Sequence, residues 1–183
     1  MDIADSEPAS GLRQSEFHIS GKTAGRTEAI GFNLGRLLKP GDIICVAGEL
    51  GAGKTVLCRG IGAGWGASPP LNSPTYNLVH EHERPADDGR LYHLDLYRIS
   101  GARDAETLGI HEILDSGALV IFEWPERIPE LLPAARLWID ILPREDDGRD
   151  LFLQARGERY TALIKTLRRM LTQARGAAHA AGA

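Results

Sequence analysis

Residues 48–55 read Gly48-Glu-Leu-Gly-Ala-Gly-Lys-Thr55, and this octet decides the fold. It matches G-x-x-x-x-G-K-[ST] in full, the loop in which glycines bring the backbone close to an anion and successive N–H groups converge on it. The preceding stretch, Asp42-Ile-Ile-Cys-Val-Ala47, is one acid followed by an unbroken apolar run, the pattern of a strand covered on both faces. A helix over about 54–63 follows, so its N-terminus backs the loop. In such a loop Lys54 bridges the β- and γ-phosphates as a point charge, and Thr55 places its hydroxyl on Mg²⁺. The octet therefore points to a nucleoside triphosphate bound with magnesium.

Working outward, a short strand at 16–19 precedes a helix over 24–38, whose Ile30, Leu34, Leu37 and Leu38 recur at helical spacing. Pro40-Gly41 ends that helix. Further strands are expected at 76–80, 90–96, 118–122, 136–141 and 150–156, with helices at 104–115 and 158–172. Alternating strands and helices give an α/β fold, a P-loop NTPase-type three-layer sandwich around a mixed, mainly parallel sheet. The closely spaced runs near 76–96 and 136–156 read as hairpins and bring some antiparallel pairing. Residues 1–15 are polar and aperiodic, and 173–183 are low-complexity. Residues 16–172 are thus expected to form one domain between two flexible tails.

Bulk composition narrows the classes. The chain has 183 residues, with Lys plus Arg 21 against Asp plus Glu 25 and a net charge of −4. That balance argues against autonomous tight binding to a nucleic-acid backbone, which needs a concentrated positive field. No apolar run approaches the ~18 residues of a membrane span. The two cysteines, Cys45 and Cys58, both sit in segments that read as buried, so a disulfide framework is excluded and a reducing, cytoplasmic setting is expected.

A P-loop needs an acid from a neighbouring strand to hold its metal. Ala118-Leu-Val-Ile-Phe-Glu123 is an apolar run ended by a carboxylate, and Leu91-Tyr-His-Leu-Asp95 is a less pure run ended by another. The pattern favours Glu123, but one acid can hold metal while the other orients water, so both are carried forward. A regulatory GTPase is disfavoured, because the chain has no Asn-Lys pair and none of its 21 glycines follows an Asp by three positions. ATP is the default nucleotide. Ser73-Pro-Thr-Tyr76, past the P-loop helix, resembles a γ-phosphate switch: Pro74 stiffens the turn and Thr75 could contact Mg²⁺ or the γ-phosphate.

Taken in order, five motifs resemble one family. They are Thr27-Glu-Ala29, Gly48 to Thr55, Ser73-Pro-Thr-Tyr-Asn-Leu-Val79, His93-Leu-Asp-Leu-Tyr-Arg98 and Phe122-Glu-Trp-Pro125. This series is similar to the bacterial ATPase of tRNA threonylcarbamoyladenosine biosynthesis, the TsaE family, over residues 27–126. The resemblance implies a magnesium site of Thr55 and Glu123 with Asp95 at or near it. It implies phosphates wrapped by Glu49, Leu50, Gly51, Ala52, Gly53, Lys54 and Thr55. Thr27 would touch the adenosine side, Glu126 would approach it, and Thr75 would be the switch. Trp124 would stack near the nucleotide or a partner, although a Trp after a strand is also an ordinary core position.

The resemblance further implies a slow ATPase that serves threonylcarbamoyl modification of adenosine 37 in tRNAs reading codons that start with A. It would act on a TsaB–TsaD pair, with tRNA reached through that complex. Two other readings of the P-loop stand beside it: a small-molecule kinase, for which no Arg-rich lid is apparent, and a non-hydrolysing module gated by ATP. Arg98 is the nearest candidate for a catalytic arginine, with a structural ion pair as its alternative. His80 and His82 form an H-x-H pair, half of a metal site, and no further ligand stands at a recognisable spacing.

Overall fold

The computed structural model describes residues 15–72 and 78–180. Thr75 and its switch motif, residues 73–77, therefore lie outside the described residues, as do 1–14 and 181–183. Seven strands form one sheet: β1 (Glu16–Gly21), β2 (Ile43–Ala47), β3 (Val79–Arg84), β4 (Gly89–Asp95), β5 (Leu119–Glu123), β6 (Arg136–Pro143) and β7 (Arg149–Arg156). Their spatial order is β1-β7-β6-β2-β5-β4-β3.

The four central strands β6, β2, β5 and β4 run parallel. The flanks are antiparallel: β3 pairs with β4, β6 with β7, and β1 with β7. The parallel character is thus confined to the middle of the sheet, where both faces are covered. β2 shows why. Ile44 and Val46 pack into one core layer with Ile121 and Ile139, while Ile43 and Cys45 pack into the other with Val120 and Phe122. All five residues of β2 are buried, as its unbroken apolar run requires.

One face carries α1 (Ala24–Gly35), α2 (Lys54–Trp65) and α5 (Glu158–Ala180), and the other carries the short helices α3 (Ala102–Glu106) and α4 (Ile110–Asp115). Thr23 caps α1, its hydroxyl oxygen accepting from the Arg26 N–H. The helix expected at 104–115 is two helices, because Gly109 takes a left-handed conformation at φ 71° and interrupts the ladder. The helix expected to end at 172 continues to Ala180, with Tyr160, Leu163, Ile164, Leu167 and Leu171 buried against the sheet. Asp42, the single acid before β2, receives Arg159 from α5 at 2.6 Å. The Ile43 N–H beside it donates to the Tyr160 hydroxyl.

Helices α1 and α2 touch through glycine. A side-chain carbon at Gly31 would collide with the Leu57 carbonyl, one at Gly35 with that of Ile61, one at Gly60 with that of Glu28, and one at Gly64 with that of Phe32. Two helices this close set α2, and with it the P-loop at its start, rigidly against the sheet.

Candidate functional site

Parallel pairing brings the ends of β2, β4 and β5 to the same edge. In register, Val46 faces Glu123 and Glu123 faces Asp95, so both candidate acids sit side by side just below the P-loop. This is the edge at which open α/β sheets bind ligands. A cleft of about 470 Å³ opens here, lined by Leu50, Gly51, Gly53, Lys54, Thr55, Asp95, Glu123 and Trp124 among others.

The loop has the backbone that its glycines allow: Gly51 stands at φ 81° and Gly53, the residue before α2, at φ 105°. Lys54 is almost fully buried, and its Nζ donates to the carbonyls of Gly48 and Glu49 at 2.7 and 2.8 Å. The same ammonium lies 3.8 Å from the centre of the Trp124 ring. Burial pushes the Lys54 ammonium below its ordinary pKa, against the pull of the Glu123, Glu126 and Asp95 charges.

Glu123 is held from two sides. The Thr55 hydroxyl donates to its Oε2 at 3.2 Å, and His93 Nε2 lies 2.9 Å from its Oε1. Because a carboxylate only accepts, this contact assigns the Nε2 proton to His93. Asp95 accepts the Tyr97 N–H on Oδ1, and burial raises its carboxyl above the usual range, with the Glu123 charge adding to the effect. Trp124 holds φ 61°, an uncommon conformation for a large side chain, which turns its ring over Lys54 and against Tyr97 at 5.0 Å. Thr55, Glu123 and Asp95 together offer one hydroxyl and two carboxylates, the hard oxygen donors that suit a magnesium-like cation.

The other expected residues fall around this centre. Ala52 is buried beneath the loop, and Glu49 contributes its carbonyl to Lys54. Glu126 is exposed in the 3-10 turn after Trp124. Thr27 is fully buried on α1, with its hydroxyl against the Thr23 carbonyl, and does not line the cleft. Arg98 lines the cleft and is exposed, with no ion pair among the described residues. His82 is buried with Nδ1 2.9 Å from the Pro69 carbonyl, and the His80 ring lies 6.2 Å from its own.

The family model described as threonylcarbamoyl adenosine biosynthesis protein TsaE matches residues 21–151. The chain belongs to the TsaE family. A tRNA threonylcarbamoyladenosine biosynthesis protein TsaE from Bacillus subtilis is 37% identical over 145 residues, covering 78% of this chain and 88% of that protein. One from Streptomyces coelicolor is 38% identical over 144 residues, covering 75% and 97%. The crystal structure of Bacillus subtilis YdiB superposes with a TM-score of 0.71 at 31% identity, over 85% of this chain and 95% of that one. The chain is therefore a member of a family of tRNA threonylcarbamoyladenosine biosynthesis proteins with the same α/β architecture.

Two further residues bear on the site: His93, fully buried beneath the cleft against Glu123, and Arg149, which lines it. The polar ring of His93 inside an apolar run is a sequence signal for the first, and the sequence carries none for Arg149. The arginine reaches the loop from β7 because it pairs with Pro143 across the β6–β7 hairpin, and its Nε then donates to the Ala52 carbonyl at 3.2 Å.

Proposed function

We propose that this member of the TsaE family is a magnesium-dependent ATPase of the cytoplasm, acting on a TsaB–TsaD pair during threonylcarbamoyl modification of tRNA adenosine 37. The observation that carries the reading is the convergence of Lys54, Thr55 and Glu123 at one end of the cleft. The full P-loop, the hard donor set and the membership in a tRNA threonylcarbamoyladenosine family support it together. Among the described residues no helix is long and apolar enough to cross a membrane.

In this reading Thr55 and Glu123 hold the metal ion, with Asp95 beside them. Magnesium bound there supplies neutralisation of the charge that gathers on the phosphate oxygens. The backbone N–H groups of residues 49–55 cradle the phosphates, and Lys54 exchanges loop carbonyls for phosphate oxygens. The two contacts on Glu123 leave it little freedom to turn, which suits it to the ion. Asp95 has one oxygen tied to Tyr97 and an enhanced affinity for protons, which suits it to orient a water and take its proton.

Turnover by the isolated chain is slow in this reading. Arg149 is engaged with the Ala52 carbonyl of the P-loop and the Asp147 carbonyl of its own hairpin turn, while Arg98 is exposed at the rim. A catalytic cation, worth about 10³-fold or more in related chemistry, then awaits a partner or an ordering of the cleft. The deciding experiment is phosphate release from Mg-ATP by the protein alone and with a purified TsaB–TsaD pair. Stimulation by the pair is expected. Rapid release by the protein alone, or none in either case with ATP still bound, would reject it.

A further inference from the structure

Cys58 is a buried thiol for which the chemistry above has no use. It lies on α2 three residues after Thr55, on the helix face turned toward β5. Its Sγ, a ring nitrogen of His93 and a carboxylate oxygen of Glu123 all lie within 4.8 Å of one another. None of the three residues is more than 2% exposed. His93 adds a second anomaly: its Nδ1 is buried with no hydrogen-bond partner among the described residues, while Nε2 faces Glu123.

We propose that Cys58, His93 and Glu123 form a site for a borderline-soft divalent cation such as Zn²⁺, which takes the Glu123 carboxylate away from a hard cation. The donor set is sulfur, nitrogen and oxygen, a mixture that zinc accepts and magnesium does not. Bonds of about 2.0–2.3 Å place the ligand atoms of a tetrahedral ion roughly 3.3–3.7 Å apart, and the three side chains adjust to those separations from atoms that already lie within 4.8 Å of one another. The three side chains come from three elements, α2, β4 and β5. Glu123 lines the cleft and gives the cation its entry, and the cleft side supplies the fourth position.

Binding forms a sulfur–metal bond and releases the thiol proton to water. His93 stays neutral by changing tautomer: its proton passes from Nε2 to Nδ1 through water, Nε2 gives its lone pair to the metal, and Glu123 exchanges its hydrogen bond from His93 for the metal. Competition with magnesium rests on the function proposed above; the metal site itself does not.

The test is titration of the full chain, free of any histidine tag, with Co²⁺ as a spectroscopic stand-in for zinc. Expected is one cobalt per chain with a thiolate-to-cobalt charge-transfer band, displaced by Zn²⁺, retained in Cys45→Ser and lost in Cys58→Ser. Zinc should also inhibit Mg-ATP hydrolysis, and Cys58→Ala should need about tenfold more zinc or beyond while keeping its magnesium-driven rate. Absence of the band, or its persistence in Cys58→Ser, overturns the site whatever the activity shows. Equal zinc sensitivity of parent and Cys58→Ala overturns it too. A Cys58-dependent band in a protein that releases no phosphate keeps the site and rejects the ATPase reading instead.

Discussion

Thr55 and Glu123 stand 68 positions apart in the chain, yet the hydroxyl of the first donates to the carboxylate of the second at 3.2 Å. Thr55 is placed by the first turn of α2, and Glu123 by the end of β5, which lies beside β2 in the sheet. An ion held between them is held by two elements whose separation is set by the core. The consequence is that the fold itself brings together the oxygen donors of the proposed metal site.

Replacing Glu123 by Gln keeps the size of the side chain and removes its charge. Magnesium-dependent phosphate release should fall by about 100-fold or more, because the carboxylate proposed to hold the metal ion against the phosphates is lost. Circular dichroism should show a folded protein. If the variant still sustains tRNA modification in cells lacking the parent protein, hydrolysis is dispensable and the ATP-gated module gains the ground.

Lys54→Ala should weaken ATP binding by about 10–100-fold, the value of one or two charge-assisted hydrogen bonds. Quenching or enhancement of Trp124 fluorescence is a convenient readout, since the ring lies against the ammonium. Thr55→Ala should instead bind nucleotide with little dependence on magnesium. Parent-like Mg-ATP binding by both variants would remove the phosphate-cradle reading.

Asp95 yields a pH prediction. Its folded pKa is raised, first by burial, so the native protein holds a proton there more readily than the unfolded chain. Any stability this contributes is complete below the ordinary carboxylate value and is lost as pH rises through the folded pKa. Asp95→Asn, which keeps the acceptor for Tyr97 N–H, should therefore melt higher than the parent at neutral pH. The advantage should shrink toward pH 4 and below. Equal melting temperatures at neutral pH would contradict the sign.

Gly64→Ala tests the contact between α1 and α2. The added methyl group meets the Phe32 carbonyl, so the helices must separate, at a cost of about 1–3 kcal/mol. Denaturant melts should show this loss even though alanine is the better helix former. A neutral or stabilising result would mean that the two helices are not as close as described.

Much of the fold was legible because its signals are short-ranged. The run before Gly48, the helical spacing of Ile30 and Leu34, and the strand that ends in Glu123 all belong to contiguous segments whose periodicity reports burial. Boundaries held less well where a single residue overrides the pattern, as Gly109 does between α3 and α4. β3 runs Val79–Arg84, so it extends past the expected end at 80, and residues 76–77 of that expectation lie outside the described residues. The glycines of α1 and α2 stand four apart on both helices, but spacing alone does not tell a glycine facing a partner helix from one facing water.

By itself the sequence determined the chemistry of the loop at 48–55, the strand that feeds it, the helix that follows and the two acids at strand ends. Each of these is written in adjacent residues, because backbone conformation is a local property. Strand order is not local. Only the tertiary structure decided that β5 lies between β2 and β4, which puts Glu123 between the P-loop and Asp95, brings His93 and Cys58 onto the same carboxylate, and lets Arg149 reach the loop from a distant hairpin. Those contacts come from the way two apolar faces of one sheet are buried at once, and no single segment of the chain encodes that.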